Sequence, residues 1–322
     1  LQVYRAGLAL AQGDVAGTMR HATLARERVA VGDHLGHGAA AGLLGLAVWT
    51  TGDLAAAHQL YVECRTNLLR AEYFSDALGC TVTLADIRIT QGRLHDAMRH
   101  YHQGLALGRA EDGRARQGVL RGTADMLVGL SELARERNDL AGAREHLRAA
   151  EELGEFAGLP QNAYRRRVAR ARICLAEGSI EEALELLDAA ERVYMADLSP
   201  NVRPIAALRA RVWAGQGRYA EALAWAREQR LAVDDEPSYL REYEHVTLAR
   251  VRLAQYRQEG DERILQEVAD LLARLLGAAE AGARTGSAIE ILVLQALVCR
   301  LEGETAAAVQ VLARAFTLAE PE

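Results

Sequence analysis

A turn signal that returns about every 40 residues limits this chain more than any other feature of its sequence. Gly13, Gly52, Gly92, Gly178, Gly217, Gly260 and Gly303 each separate two apolar periodic segments, and Asn138 stands at the same place in RND. Successive turns lie 39, 40, 46, 40, 39, 43 and 43 residues apart. Glycine, and asparagine next to it, enters the left-handed backbone region that ends a helix. The clearest copy of the unit is EGSIEEALELLDAAERVY, Glu177–Tyr194. Gly178 ends one helix, and Ser179 reads as the N-cap of the next, with Glu182 completing a capping box. Ile180, Ala183, Leu184, Leu187 and Ala190 then share one helical face. A helical hairpin with a single apolar stripe cannot bury that stripe alone, whereas a stack of hairpins can.

Small residues recur at fixed offsets from the turns. Five positions beyond each turn stand Thr18, Ala57, Ala97, Ala143, Ala183, Ala222, Leu265 and Ala308; seven positions before it stand Ala6, Gly45, Ala85, Ser131, Ala171, Ala210, Leu253 and Ala296. Two helices cross closely only where no large side chain intervenes, so these columns predict the crossing points. The seventh hairpin, with leucine in both columns, is the least regular. The frame resembles the tetratricopeptide repeat, with about 40 residues per unit against about 34. That likeness implies an all-α fold: a right-handed superhelix (α-solenoid) of about eight hairpins, with residues 1–322 as one solenoid. The expected helix pairs span 1–30, 33–70, 74–109, 117–154, 160–195, 201–231, 238–280 and 286–319. Pro160, Pro200, Pro204 and Pro237 fall at or before first-helix starts, where a missing N–H costs little, and Pro321 follows the last helix.

Composition removes several function classes. Half of the 322 residues are hydrophobic and a quarter are charged, enough for a packed core. All 38 basic residues are arginine, so no phosphate-binding loop ending in GK[ST] exists, and neither GxSxG nor a dinucleotide fingerprint is present. The net charge of −6 argues against a nucleic-acid surface. Cys64, Cys80, Cys174 and Cys299 are widely spaced inside apolar helical patterns, which predicts buried free thiols in a reducing cytoplasm. No apolar run is long enough to span a membrane, and no signal peptide opens the chain. His34 and His37, and His95, His100 and His102, read as solvated helix-surface histidines rather than metal ligands. Arg165, Arg166, Arg167, Arg170 and Arg172 read as a wet face paired with Glu181 or Glu182.

In a tetratricopeptide array the first helix of each pair, the A helix, lines the concave face. One such position, six residues before the turn, reads Leu46, Asp86, Glu132, Arg172 and Arg211 through the second to sixth hairpins, with Arg250 one turn earlier in the seventh. This predicts a groove that is acidic in its first half and arginine-lined in its second, with Trp49 as an aromatic wall. Arginine forks, carboxylates and a ring together suit a sugar or a peptide. The competing reading is that these charges pair across neighbouring A helices. Trp213 and Trp225 are expected in the core. Tyr239, Tyr243 and His245, beside Glu242 and Glu244, either reach the groove mouth or form a solvated face.

QGRLHDAMRHY (91–101), ELARERNDLAGAREHL (132–147), ALRARVWAGQGRYAEALAWA (207–226) and YLREYEHVTLARVRLA (239–254) resemble the helical sensor region of the large ATP-binding LuxR-type, MalT-like transcription regulators. The resemblance implies a non-catalytic bacterial, cytoplasmic domain that binds a small-molecule inducer, such as a sugar, or a protein or peptide on its concave face. ATP belongs to a nucleotide-binding module expected before this stretch, and DNA to a helix-turn-helix expected after it. The fragment itself is expected to hold no cofactor and to touch neither DNA nor membrane. The abrupt Leu1 fits an excised middle piece. The alternative is a free-standing tetratricopeptide adaptor for a peptide or partner protein.

Overall fold

The computed structural model describes residues 1–108, 118–195 and 199–320, which form sixteen α-helices and two short 3-10 turns, with no strand among them. Pro321 and the pair limits 109 and 117 lie outside the described residues. The A helices are α1 (Gln2–Ala11), α3 (His34–Thr51), α5 (Phe74–Thr90), α7 (Thr123–Glu136), α9 (Asn162–Ala176), α11 (Ile205–Gly215), α13 (Glu242–Glu259) and α15 (Thr285–Leu301). Each is followed by a B helix: α2 (Val15–Arg28), α4 (Leu54–Arg70), α6 (Leu94–Ala106), α8 (Leu140–Glu152), α10 (Ile180–Arg192), α12 (Tyr219–Glu228), α14 (Glu262–Ala281) and α16 (Thr305–Ala319). No helix among the described residues is long and apolar enough to cross a membrane.

All eight turn residues have positive φ, Asn138 (61°) included. Aspartate then caps four of the B helices, at Asp14, Asp53, Asp139 and Asp261, and also the A helix α3, at Asp33. Asp14, Asp33, Asp53 and Asp139 each accept from the backbone N–H three residues on. That acceptor sits close over the helix start: a Cβ at Gly17 would lie 2.1 Å from the Asp14 carboxylate. The capping box expected at Ser179 does not form. Ser179 occupies the N-cap but its hydroxyl makes no cap bond, and Glu182 turns away to accept from Arg170 of α9 at 3.3 Å.

The small-residue columns are the seams between paired helices. Ala57, Ala97, Ala143, Ala183 and Ala222 of the B helices, and Ala6, Ala85, Ala171 and Ala210 of the A helices, are fully buried. The two columns meet each other directly: Ser131 Oγ donates to Ala143 O at 2.8 Å, and Thr18 Oγ1 to Ala6 O at 3.4 Å. At Gly45 the Tyr61 ring takes the space, 3.1 Å from where a Cβ would stand. Leu253 and Leu265 instead join a broad leucine core with Leu271, Leu272 and Leu275. Ala308, on the last helix, is only half-buried.

Contacts divide the chain into two compact units: Leu1–Ile89 with Arg93–Pro200, and Thr90–Gly92 with Asn201–Glu322. In the first, α5, α6 and α7 share a core of Leu78, Val82, Tyr101, Met126, Leu130 and Leu133. Tyr101 lies flat on the α7 backbone, where a Cβ at Gly129 would meet its ring at 2.1 Å. In the second, α13, α14 and α15 enclose the leucine core.

Candidate functional site

In the first unit the charged A-helix residues are committed to one another. Asp86 of α5 accepts from Arg165 of α9, 3.3 Å to each carboxylate oxygen. Glu132 of α7 is bonded to Arg172 of α9. The sequence expectation that charges pair across neighbouring A helices therefore describes Glu132 and Arg172, whereas Asp86 is bonded to the A helix two repeats on. Trp49 does not form an aromatic wall: it is 5% exposed and sits edge-on to Tyr61, 6.2 Å between centroids. A ring that size at the A–B seam gains more from burial than from standing in water. The arginine run is not one wet face either. Only Arg170 reaches Glu182, whereas Arg166 approaches Glu151 at 3.9 Å and Arg165 and Arg172 turn inward. Beneath Arg165, Asp125 is buried and accepts from Leu159 N at 2.8 Å. Burial raises its pKa, partly offset by Arg165 and that N–H.

In the second unit Arg211 and Arg250 converge on a residue the sequence reading did not single out. Arg211 Nη1 lies 2.6 Å and Arg250 Nη2 2.9 Å from the same oxygen, Oε1 of Glu290 on α15. Burial pushes the Glu290 carboxyl up, but the two guanidinium groups outweigh it and hold it below the usual carboxylate range. Arg211 also donates to Thr247 Oγ1 at 2.7 Å and stacks on the Tyr243 ring at 3.6 Å. Its orientation is thus fixed by three partners.

Next to this cluster a solvent-open cleft of about 450 Å³, open mouth included, is lined by Arg203, Tyr239, Tyr243, Glu242, Ser287 and Glu290. The N-terminal ends of α13 and α15 form its walls. Glu242 is held by Arg284 at 2.7 Å, both side chains only 7% exposed, and Tyr239 stacks against Arg284. Arg203 is exposed at the rim and makes no hydrogen bond or ion pair among the described residues. The cluster at the start of α13 therefore divides. Tyr239 and Tyr243 face the cleft. His245 is buried, 3.0 Å from both Asp235 Oδ2 and Arg241 O, so a solvated face does not describe it. Trp225 is core, as expected, while Trp213 is half-buried between Arg209 and Arg218.

Glu290 was findable. It lies thirteen residues before Gly303, as Arg165 lies thirteen before Gly178, so a second column of A-helix charges runs two turns ahead of the first. Arg203 carried no such signal, because it precedes its helix. His95 and His102 are exposed, as expected, whereas His34 and His37 are half-buried, with His34 Nδ1 3.2 Å from Asn67 Oδ1. His100 is not solvated: it is half-buried against His58 of α4. All four cysteines are free thiols; Cys64, Cys80 and Cys174 are buried as expected, Cys299 is only half-buried, and Cys64 and Cys80, 16 residues apart, meet at 3.3 Å.

An all-α fold of this kind is shared with solved tetratricopeptide-type proteins. A Rap protein complexed with Competence and Sporulation Factor superposes with a TM-score of 0.64 at 14% identity, covering 96% of this chain and 81% of its own. Aspartyl phosphate phosphatase F from Bacillus subtilis superposes at 0.53 and 12% identity, covering 88% and 70%. At these identities the likeness is one of fold. No curated protein sequence matches the chain. The family described as the MalT-like TPR region matches residues 1–322 from end to end, and the chain belongs to that family.

Proposed function

We propose that residues 1–322 act as one effector-sensing and protein-interaction region of a bacterial, cytoplasmic, LuxR-type regulator that uses ATP in another module. Its role is binding, without catalysis. Membership of the MalT-like TPR region family supports the sensor role. The observation that carries the site is the cleft of the second unit, where two tyrosine rings, an arginine without an ion pair and two carboxylates converge. Rings bind apolar faces of a polar guest, and the charged groups select its hydroxyl or ionic ends. Arg211 and Arg250 position Glu290 there, and are supporting residues of the site. The ion-paired face of the first unit, with Asp86, Glu132 and Arg172, is a less ready site, since a guest would have to displace its bonds. The Rap protein of similar fold is seen complexed with Competence and Sporulation Factor, which supports a protein or peptide as an occupant beside a small inducer such as a sugar.

A sensor of this kind works by population shift, its guest binding one arrangement of the regulator better than another. Calorimetry of residues 1–322 against a malto-oligosaccharide and against short peptides tests the site. Binding of either is expected to weaken at least tenfold in Arg203→Ala and Tyr239→Ala with helicity unchanged. Affinity unmoved by both substitutions would remove the cleft from the proposal.

A further inference from the structure

A second group of polar side chains, in the first unit and independent of the cleft, stands where α4, α5 and α6 meet. His58 of α4 and His100 of α6 face each other with Nε2 atoms 3.5 Å apart. Behind each ring stands a guanidinium: Arg88 Nη2 is 3.5 Å from His58 Nδ1, and Arg65 Nη1 is 3.3 Å from His100 Nδ1. Arginine only donates, so each Nδ1 must present its lone pair. The ring proton of each neutral histidine is then on Nε2. Two N–H donors point at one another, with no protein acceptor recorded between them among the described residues. Protonating a ring would not relieve the conflict, because the new proton would face an arginine. Burial and the nearby arginines hold both pKa values at about 4, so both rings are neutral near pH 7.

What this arrangement lacks is an acceptor. We propose that His58 and His100 form the floor of a small oxyanion site, in which one oxygen of a phosphate or phosphoryl group accepts from both Nε2–H donors. Arg65 and Arg88 fix the two tautomers and supply positive potential. Among the described residues, the carboxylate facing the rings is Asp96 of α6, already engaged by Arg93 and Arg99 and approached by Arg88 at 3.7 Å. The cluster therefore carries an excess of positive charge. The same geometry selects against a metal ion. The Nε2 spacing alone would suit one, but coordination needs Nε2 lone pairs, which drives each ring proton to Nδ1 and onto an arginine donor.

Two measurements on residues 1–322 decide this. Nitrogen-15 NMR of the histidine rings is expected to show the Nε2–H tautomer for both His58 and His100. Calorimetry at pH 7 with inorganic phosphate and, separately, phenyl phosphate is expected to show one site. His58→Ala should weaken it at least tenfold and the double variant with His100→Ala should abolish it. His100→Gln, which keeps an N–H donor, should retain part of the affinity, separating loss of the site from loss of the fold. Tighter binding of the ester would assign the site to phosphorylated small molecules, and equal or tighter binding of the free ion to phosphate itself. Phosphate affinity unchanged in the double variant, Nδ1–H tautomers, or histidine-dependent Zn²⁺ binding in place of phosphate would each overturn the proposal.

Discussion

The two units solve the same packing problem with opposite signs. In the first, Asp86 on α5 is bonded to Arg165 on α9; in the second, Arg211 on α11 is bonded to Glu290 on α15, and each pair is 79 residues apart. Asp86 and Arg211 both stand six residues before their turns, and Arg165 and Glu290 both thirteen. A bond between A helices two repeats apart joins the same two positions in both units, with acid and base exchanged. Each unit also has a one-repeat bond 40 residues long, Glu132 to Arg172 and Arg250 to Glu290. These positions therefore require complementary charge and not a particular sign. What differs is the space alongside. Sixteen and seventeen residues before its turn, α9 has Asn162 and the residue before it is Gln161; Asn162 is buried and packs on Gly158. At the same register α15 has Ser287 and Gly286, both lining the cleft. A missing side chain, more than a special one, opens the second unit.

The bridges should differ in energetic weight, and the buried pair beside the cleft should weigh most. Glu242 and Arg284 are 7% exposed, and removing one partner strands a charge out of water. Glu242→Leu should lower unfolding stability by about 3–5 kcal/mol in urea titration. A loss below about 1 kcal/mol would mean that water reaches Arg284 freely. Next come the two-repeat bridges. Glu290→Leu leaves both Arg211 and Arg250 without their carboxylate and should cost about 2–3 kcal/mol. Asp86→Leu removes a carboxylate that is 37% exposed from an arginine that still has the Asp125 carboxylate beside it. Its cost should stay within about 1 kcal/mol. The charge-swapped variant Arg211→Glu with Glu290→Arg should recover part of the loss only when Arg250→Glu is added, since Arg250 otherwise faces a like charge. Equal costs for Glu290→Leu and Asp86→Leu would break the distinction drawn between the units.

The turn residues made the fold legible, because left-handed backbone restricts residue choice and a recurring restriction reveals the period. The seam columns were legible for the same reason: close helix crossings admit only small side chains. The site was harder to read. One column of charges, Asp86, Glu132, Arg172 and Arg211, suggested an acidic half and a basic half. The second column, with Arg165 and Glu290, supplies the partners of Asp86 and Arg211, and Glu132 and Arg172 pair with each other, which cancels that polarity. Trp49 shows a further limit, since helical periodicity places it on a face but does not say how far the neighbouring Tyr61 covers it. The cleft was illegible because Gly286 and Ser287 matter through volume they do not fill.

Acid should separate the units. His58 and His100 have pKa values lowered from 6.5 to about 4 by burial and by Arg88 and Arg65, with Asp96 opposing and Arg99 adding to the effect at His100. The unfolded chain then binds more protons than the folded one between those values. Their contribution is fully present above about pH 6.5 and is lost as pH falls toward about 4. Glu290, also depressed, contributes above the ordinary glutamate range and fails only as pH falls below it. Hydrogen exchange at pH 5 against pH 7 should therefore show α4 and α6 loosening before α13 and α15. His58→Gln should flatten that difference. Simultaneous loosening in wild type would assign the acid response to carboxylates common to both units.

The smallest effect on stability should accompany the most direct test of why the cleft exists. Gly286 and Ser287 sit in the first turn of α15, and Gly286 has an ordinary negative φ. Replacing Ser287 by asparagine and Gly286 by glutamine copies the residues that α9 uses at the same register. An added side chain at an open helix start meets solvent before it meets packed neighbours, so the change in unfolding stability should stay within about 0.5 kcal/mol. Binding in the cleft should nevertheless fall at least tenfold, because the new side chains occupy the volume between Tyr243 and Glu290. If binding survived the exchange, missing volume would not be what distinguishes the units, and the difference would have to lie in the tyrosines instead.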